Sequence, residues 1–306
     1  MQVQVTGSLG GYGSVPKLSK MFRMVAAPLY IWRQFCEVKE AIGMRNGESR
    51  LFDKWSRVVT GGGKVAETAT VPTDSYKITQ DTVTVDDFAN SIPFTEDLAK
   101  TSEFDIDNNI HVMIRDDMKN TYDKAIASVA KTAKFVAVCT ATTKAGIVFT
   151  STGTNTGTSA TTLSRLNVEG IIEFMKKKLI PRYKGGKDYV GIGCITALGN
   201  LHDDLTPYMA YTTPEYLYNS EFGRYYGCRF VEDDSGNMTE SAQEMLFMGG
   251  DALWECIVFP EEFRTDYATD LGRSQKKGWV GRQGFKKVWD WTTDAEEHLV
   301  RVNNNQ

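Results

Sequence analysis

A short segment rich in lysine and glycine resembles part of a phosphate-binding loop. Residues 184–188 read Lys-Gly-Gly-Lys-Asp, and a Gly-Lys pair ends the loop that cradles nucleotide phosphates. That loop also needs an upstream glycine and a Ser or Thr after the lysine, where this chain has Pro181 and Asp188. Gly191 and Gly193 begin a dinucleotide-binding pattern, but Thr196 stands where its third glycine belongs. Neither kind of nucleotide site is predicted.

Two acidic clusters invite a metal-binding interpretation. His202, Asp203 and Asp204 are consecutive, and neighbouring residues on a helix point about 100° apart, so the three side chains cannot easily share one ion. A solvated or capping role is favoured. Residues 233–237 read Asp-Asp-Ser-Gly-Asn but lack the acid spacing and closing glutamate of a calcium loop, so a surface turn is expected. We predict no metal site.

Nucleophilic catalysis finds little support. The Gly-x-Ser-x-Gly pattern is absent, and the sequence has only three histidines. Paired acids occur at residues 86–87, 116–117 and 261–262, and they fit helix ends and solvated faces. An enzyme of unknown type that uses carboxylates stays open as a distant alternative. We predict no catalytic residues, no cofactor and no enzymatic activity.

Composition describes an ordinary globular chain. Its 306 residues carry 35 basic and 39 acidic side chains, for a net charge of −4, which argues against nucleic-acid binding by the whole surface. The five cysteines form no Cys-x-x-Cys pair and are expected to be reduced, buried thiols. Residues 1–19 do not resemble a signal peptide, and no apolar run is long enough for a membrane helix. The expected compartment is a cytosol.

The first third of the chain reads as arm, helices and extension. Glycines interrupt residues 1–16, which are expected to form a flexible arm. Helical spacing begins at Lys17, and a second helix is predicted over residues 29–42. Residues 50–60 read as a strand, and residues 64–85 continue as polar, extended chain around turn signals. This extension has too few large apolar residues to form a core, so it needs another surface to lie on.

The longest periodic pattern follows this extension. Thr95 is a candidate cap for a short helix, and Asp105 begins a helix that is predicted to run to about Thr132. Its predicted apolar stripe comprises Ile106, Ile110, Met113, Met118, Tyr122, Ile126 and Val129. At about 1.5 Å per residue, this helix spans a domain from edge to edge.

Later elements mix helices with strands. A loop or weak hairpin is predicted over residues 140–162, a helix over 163–179, a buried strand over 189–195 and a short helix before Pro207. Further strands are predicted at residues 229–232, 246–248 and 253–259, followed by an alternating tail. Because no strand–helix–strand rhythm appears, the predicted class is α+β.

Three ordered segments resemble the major capsid proteins of tailed bacteriophages with the Hong Kong 97-type fold, in their short-tailed-phage branch. Residues 82–98 resemble a strand leading into an Ile-x-x-Thr-x-x-Leu step, and Tyr122-Asp123 sits where the family carries a similar pair near the end of its long helix. Residues 215–232 are similar to a second family stretch, with departures at Ser220 and Phe222. Residues 247–253 resemble the strand that leads back into the peripheral domain.

The resemblance implies a division of the chain into five segments. An N-terminal arm and helix would occupy residues 1–47, an extended β-hairpin loop 48–86, and a peripheral domain with its spine helix 87–131. An axial domain would occupy residues 132–246, and residues 247–306 would return to the peripheral domain.

The implied function is structural. Hexamers and pentamers of the chain would close an icosahedral shell around double-stranded DNA, without sequence-specific contacts, alongside portal and scaffolding or cement proteins. The expected location is the virion capsid, assembled in the host cytoplasm, with no membrane partner. Some relatives cross-link a loop lysine to a neighbour's asparagine. Lys54 and Lys64 are available, but no partner motif is seen, so cross-linking is disfavoured.

Four charged residues of the extension are the predicted contact residues between subunits. Arg57, Lys64, Glu67 and Lys77 are expected to form ion pairs with a neighbouring copy, although such side chains are as often only solvated. The nearest alternative is the shell protein of a bacterial nanocompartment, which shares the fold and encloses cargo enzymes instead of a genome.

Overall fold

A computed structural model describes residues 31–40, 49–55, 63–71, 73, 75–76, 78–102, 105–157, 161–209, 223–266 and 273–304. The strands in this part of the chain are β1 (Glu37–Glu40), β2 (Ser49–Trp55), β3 (Ile78–Thr84), β4 (Asp86–Thr95), β5 (Phe135–Cys139), β6 (Ile147–Thr150), β7 (Tyr189–Cys194), β8 (Arg224–Tyr225), β9 (Cys228–Asp233), β10 (Met245–Met248), β11 (Leu253–Thr265), β12 (Ser274–Lys287) and β13 (Leu299–Val302). The helices are α1 (Glu96–Thr101), α2 (Ile106–Ala130), α3 (Arg165–Lys177), α4 (Ile195–Met209) and α5 (Trp291–Asp294), with 3-10 turns at Trp32–Phe35 and Tyr183–Gly185.

Three sheets organise these strands. A four-stranded sheet has the order β1-β11-β12-β4, a seven-stranded sheet has the order β6-β5-β13-β10-β7-β9-β8, and β2 pairs only with β3. Both large sheets mix parallel and antiparallel neighbours. The predicted α+β class is confirmed.

The seven-stranded sheet buries both of its faces. One face packs on α3 and α4, with Phe135, Phe247 and Val300 among its buried side chains. The opposite face packs on the end of α2 and on Trp32. Continuous apolar strands such as β5 and β7 are buried at every position because both faces are covered.

Helix α2 connects the two large sheets. Asp105 caps it by accepting the N–H of Asn108 at 3.1 Å, and its 25 residues span about 37 Å. Its first half packs on the four-stranded sheet around Trp279, and its last turns pack on the seven-stranded sheet. The predicted helix is confirmed. Within the described chain no helix has the length and apolar composition needed to cross a bilayer.

The predicted apolar stripe of α2 is wrong at one position, Met113. Met113 is 43% exposed, whereas Ile114 is buried. Ile110, Ile114 and Met118 are four residues apart and lie one above another, so Met113 is rotated away by about 100°.

The helix predicted over residues 29–42 is also wrong. Residues 32–35 form one 3-10 turn, and β1 then pairs in parallel with β11, with Glu37 opposite Trp254. The helical spacing of Trp32 and Cys36 misled the prediction, since both are buried for reasons of tertiary structure. The helix predicted from Lys17 lies outside the described residues. Helix α4 continues past Pro207 to Met209, although it was predicted to stop earlier.

Candidate functional site

A two-stranded ribbon, β2 with β3, is the candidate functional site. Its register runs from Ser49 opposite Thr84 to Trp55 opposite Ile78. Alternate residues of a strand point to opposite faces, so the ribbon has an inner face on the body of the subunit and an outer face toward solvent. Two-stranded ribbons are marginal by themselves, and therefore the inner-face contacts determine how this one is held.

Apolar contacts supply part of the inner face. The ring of Phe52 lies 4.9 Å from the ring of Trp254 on β11, measured between centroids. Val83 is fully buried in a small cluster that also holds Val85, Cys256 and Val288. The ribbon therefore packs on the body of its own subunit through Phe52 and Val83.

A buried lysine supplies the polar part. Lys54 is 4% exposed, and its Nζ donates to Asp81 Oδ2 at 2.9 Å, Asp294 Oδ2 at 2.6 Å and the carbonyl of Val288 at 2.9 Å. Nζ also lies 5.5 Å from the centre of the Trp289 ring. Burial alone would lower the pKa of Lys54, but the hydrogen bonds to Asp294 and Asp81 outweigh it and raise the pKa. The side chain is a paired ammonium.

Asp81 links this lysine to a second one. Its carboxylate also accepts a hydrogen bond from Lys286 on β12, which in turn donates to the carbonyl of Thr82 at 2.7 Å. Burial would raise the pKa of Asp81, yet Lys286 and Lys54 hold it below its usual range. The carboxylate is therefore ionised at neutral pH.

The outer face of the ribbon is exposed and carries several large apolar side chains. Leu51 is 60% exposed, Trp55 63%, Tyr76 62% and Ile78 45%, and Tyr76 stacks on Trp55 at 5.3 Å between ring centres. We call these four residues the ribbon outer face. Trp55, Tyr76 and Ile78 lie together at one end, and the exposed pair of Asp53 and Gln80, hydrogen-bonded at 3.0 Å, separates them from Leu51. A contiguous exposed apolar group such as this end of the ribbon marks a site of interaction with another macromolecule.

Two of the four residues predicted to contact a neighbouring subunit lie among the described residues. Lys64 and Glu67 lie in the described segment beyond β2 and are exposed, whereas Arg57 and Lys77 lie outside the described residues. Sequence reasoning missed the ribbon outer face because it took Leu51, Phe52 and Trp55 as one strand. Separating odd from even positions would have assigned Leu51 and Trp55 to one face and Phe52 to the other.

The start of the described chain has a separate polar anchor. Asp123 of α2 accepts the backbone N–H groups of Ile31 at 3.1 Å and Trp32 at 3.0 Å. The indole of Trp32 donates to Asp233 at 3.1 Å. Burial raises the pKa of Asp123 to about 6, and the nearby charge of Asp233 adds to this, although the backbone donors oppose it.

The motifs considered for chemistry have structural roles. The N–H groups of Gly185 and Gly186 donate to the carbonyls of Arg182 and Tyr183, closing a local turn instead of facing a phosphate. Asp204 caps α3 by accepting the N–H of Arg165 at 2.7 Å. Across the described residues, no three His, Cys, Asp or Glu side chains are grouped to hold a metal ion.

The turn predicted at residues 233–237 needs one correction. Asp233 is buried and not at the surface. Its carboxylate is held by the N–H of Ser235 at 3.0 Å as well as by the Trp32 indole. Burial arises because the anchor at Trp32, which is distant in sequence, packs over this turn.

Known structures share this architecture along nearly the whole chain. The capsid of Helicobacter pylori bacteriophage KHP30 superposes with a TM-score of 0.70 at 11% identity, covering 100% of this chain and 99% of that one. The capsid of cyanophage P-SCSP1u gives 0.69 at 10% identity, covering 94% and 92%. The capsid of Ralstonia phage GP4 gives 0.67 at 14% identity, covering 99% and 97%. The fold is that of tailed-phage capsid proteins, as the Hong Kong 97-type resemblance implied.

Sequence comparison gives the family. The phage capsid family matches residues 10–191, which is more than half of the chain, and the chain belongs to that family. No curated protein matches the sequence. The chain is a structural protein, the major capsid subunit of an icosahedral shell. Family membership favours this function over the nanocompartment shell.

Proposed function

We propose that copies of this chain associate as hexamers and pentamers, and that each ribbon lies with its outer face on a neighbouring copy. The observation that carries this proposal is the exposed group of Leu51, Trp55, Tyr76 and Ile78 on a ribbon whose other face is already covered. Repeated contacts around symmetry axes can each be weak, because many of them add in a closed shell.

The division of the chain follows the same proposal. Residues 1–47 form an arm and its root, 48–86 the extended loop, 87–131 the peripheral domain with its spine helix, 132–246 the axial domain, and 247–306 the return to the peripheral domain. The position of α2 between two sheets supports this map. Arg57, Lys64, Glu67 and Lys77 form ion pairs with the neighbour along the loop.

The enclosed partner is double-stranded DNA. A net charge of −4 suits a shell that confines DNA without gripping it, since a strongly basic wall would bind phosphates. On this proposal the subunit has no catalytic activity. Portal and scaffolding or cement proteins complete a virion that is assembled in the host cytoplasm.

The test is to image purified particles by electron microscopy. Wild-type protein is expected to form closed shells hundreds of ångströms across that protect DNA from nuclease. Leu51→Ser and Trp55→Ser should stay folded but yield few shells, whereas Val148→Ser, an exposed aliphatic change on β6, should assemble normally. A monomer or dimer under all conditions contradicts the proposal, and cargo proteins in place of DNA would favour a nanocompartment.

Deleting residues 56–76 gives a complementary test. The shortened subunit should fold, because the described contacts with the body are made by β2 and β3, but it should not close shells. Unfolding of the shortened subunit would mean that the loop belongs to the core.

A further inference from the structure

A chain of alternating charges crosses the seam between the ribbon and the body. Lys286 of the body pairs with Asp81 of the ribbon, Asp81 pairs with Lys54 of the ribbon at 2.9 Å, and Lys54 pairs with Asp294 of the body at 2.6 Å. The side chains of Lys54 and Asp294 are almost fully excluded from solvent. The two body residues, Lys286 and Asp294, therefore meet their ribbon partners only in this arrangement of ribbon and body.

The body side of the seam is itself fixed. Asp294 ends helix α5, and its carboxylate also accepts the N–H of Asp290 at 3.1 Å. The third acceptor of Lys54, the carbonyl of Val288, belongs to the same loop. The body thus holds two oxygen atoms, Asp294 Oδ2 and the carbonyl of Val288, in place around the Lys54 ammonium.

The apolar contacts of the seam cannot define an angle in the same way. The rings of Phe52 and Trp254 could slide or tilt against each other while keeping much of their buried area, since apolar contact is non-directional. A tilt of the ribbon would instead take Lys54 away from Asp294 and leave that buried carboxylate without its cation, and an unpaired buried charge is strongly unfavourable. The charges therefore restrict the ribbon to one orientation.

We propose that Lys54 is a positioning residue for assembly, which sets the direction in which the ribbon leaves the subunit. This proposal rests on the proposed function, in which the ribbon outer face docks on a neighbouring copy. Trp55 follows Lys54 on the strand and points to the opposite side, so a tilt at Lys54 moves the docking surface directly. Loss of the lysine should leave a folded subunit whose ribbon points in variable directions.

Lys54→Met tests this with Lys287→Met as the matched control. Lys287 is also buried, and it also pairs with two carboxylates and a backbone carbonyl: Asp290 at 2.7 Å, Glu297 at 3.2 Å and the carbonyl of Thr132 at 3.3 Å. Its bonds lie within the body, so both variants should lose stability but only Lys54→Met should alter the ribbon.

Two readouts separate positioning from stability. Amide hydrogen exchange in β2 and β3 should speed up in Lys54→Met while β11 and β12 stay protected. The fraction of subunits in regular closed shells should fall on the order of tenfold because many contacts act together, with misshapen particles in their place. Lys287→Met should assemble into regular shells at temperatures where it is folded.

The opposite results are equally definite. Regular shells at normal yield from folded Lys54→Met, or unchanged exchange in β2 and β3, overturn the positioning role. If Lys54→Met does not fold, Asp294→Asn decides, because it removes only the charge on the body side and should show the same two effects. Failure of wild-type protein to form shells would instead contradict the proposed function.

Discussion

Asp123 Oδ1 accepts the backbone N–H of Trp32 at 3.0 Å, which ties the last third of α2 to the first residues of the described chain. The second oxygen of Asp123 accepts the N–H of Ile31 at 3.1 Å. A buried carboxylate thus replaces the hydrogen bonds that a longer helix would have supplied to these amides. The 3-10 turn is held in place by α2 and not by its own sequence.

Asp123 should make the free energy of unfolding of the subunit depend on pH. Its pKa rises from an ordinary 3.8 to about 6 in the folded chain, so the folded state binds the proton more tightly than the unfolded state does. The corresponding stability, ~3 kcal/mol, is fully present below pH 4 and is lost as the pH rises to about 6. Wild-type stability should therefore fall over this range relative to Asp123→Asn.

Urea unfolding of unassembled subunits between pH 4 and pH 7 measures this difference. Asp116→Asn is the control, because Asp116 lies on the same helix but has only a surface contact with Arg115 at 3.7 Å. Parallel stability curves for wild type and Asp123→Asn would show that the carboxylate does not titrate in this range.

The sequence allowed α2 to be predicted but not β1, for a physical reason. A long stripe with an N-terminal cap is a local pattern, and Asp105 and Tyr122 both occupy the places it assigns. The identity of β1 depends on Trp254, which pairs with Glu37 from far along the chain. Spacing within residues 29–42 cannot contain that information.

The candidate site could not be predicted from local sequence for the same reason. Lys54 reads as an ordinary exposed lysine in a polar strand, and its partner Asp294 is 240 residues away. The resemblance to capsid proteins correctly gave the fold and the family. It did not indicate that a lysine of the extended loop is buried in its own subunit.

The five cysteines should be unreactive in the folded subunit. All five are buried and none forms a disulfide, and burial raises the pKa of each thiol, to about 11 for Cys139 and Cys194. Because thiolate is the reactive form, a disulfide-exchange reagent at pH 8 should label none of them within minutes and all five in denaturant.

Ser128→Cys is the control for reagent access. Ser128 is exposed on α2, so this added thiol should react at once in the native subunit. Rapid native labelling of any of the five original thiols would show that its surroundings open readily.

Glu244 should be a strong determinant of stability. Its buried carboxylate pairs with Lys131 at 2.8 Å and Arg301 at 2.6 Å, and it accepts the N–H of Thr239 at 2.9 Å. Glu244→Gln leaves two cations near a neutral group and should cost ~3 kcal/mol at pH 7. The exposed change Glu232→Gln should stay within about 0.5 kcal/mol of wild type.

The cost of Glu244→Gln should shrink in acid. Burial would raise the pKa of Glu244, but Lys131, Thr239 and Arg301 hold it below its usual range. A lowered pKa contributes stability above the unfolded value, about 4.3, and that stability is lost as the pH falls through the folded value. Chemical unfolding of wild type, Glu244→Gln and Glu232→Gln at pH 7 and pH 3 measures this cost. If the unfolding free energies of wild type and Glu244→Gln differ by the same amount at both pH values, the pairing is contradicted.

The effects of substitutions at Gly281 and Tyr122 on stability should be coupled through one atom, the hydroxyl oxygen of Tyr122. The hydroxyl of Tyr122 is buried without a hydrogen-bond partner among the described residues, and a Cβ built on Gly281 would overlap that oxygen. Gly281→Ala should therefore destabilise the subunit by ~2 kcal/mol. Tyr122→Phe should cost little, because it removes a buried hydroxyl that makes no bond.

The double variant tests the coupling. With the hydroxyl gone, Gly281→Ala should lose most of its effect, which gives a large interaction energy in a double-mutant cycle of unfolding free energies. Gly278→Ala is the control, because its Cβ would meet the backbone oxygen of Asn90 at 2.5 Å. Tyr122→Phe cannot relieve that clash, so additive effects are expected there. Additivity at Gly281 as well would mean that the tyrosine ring moves aside without cost.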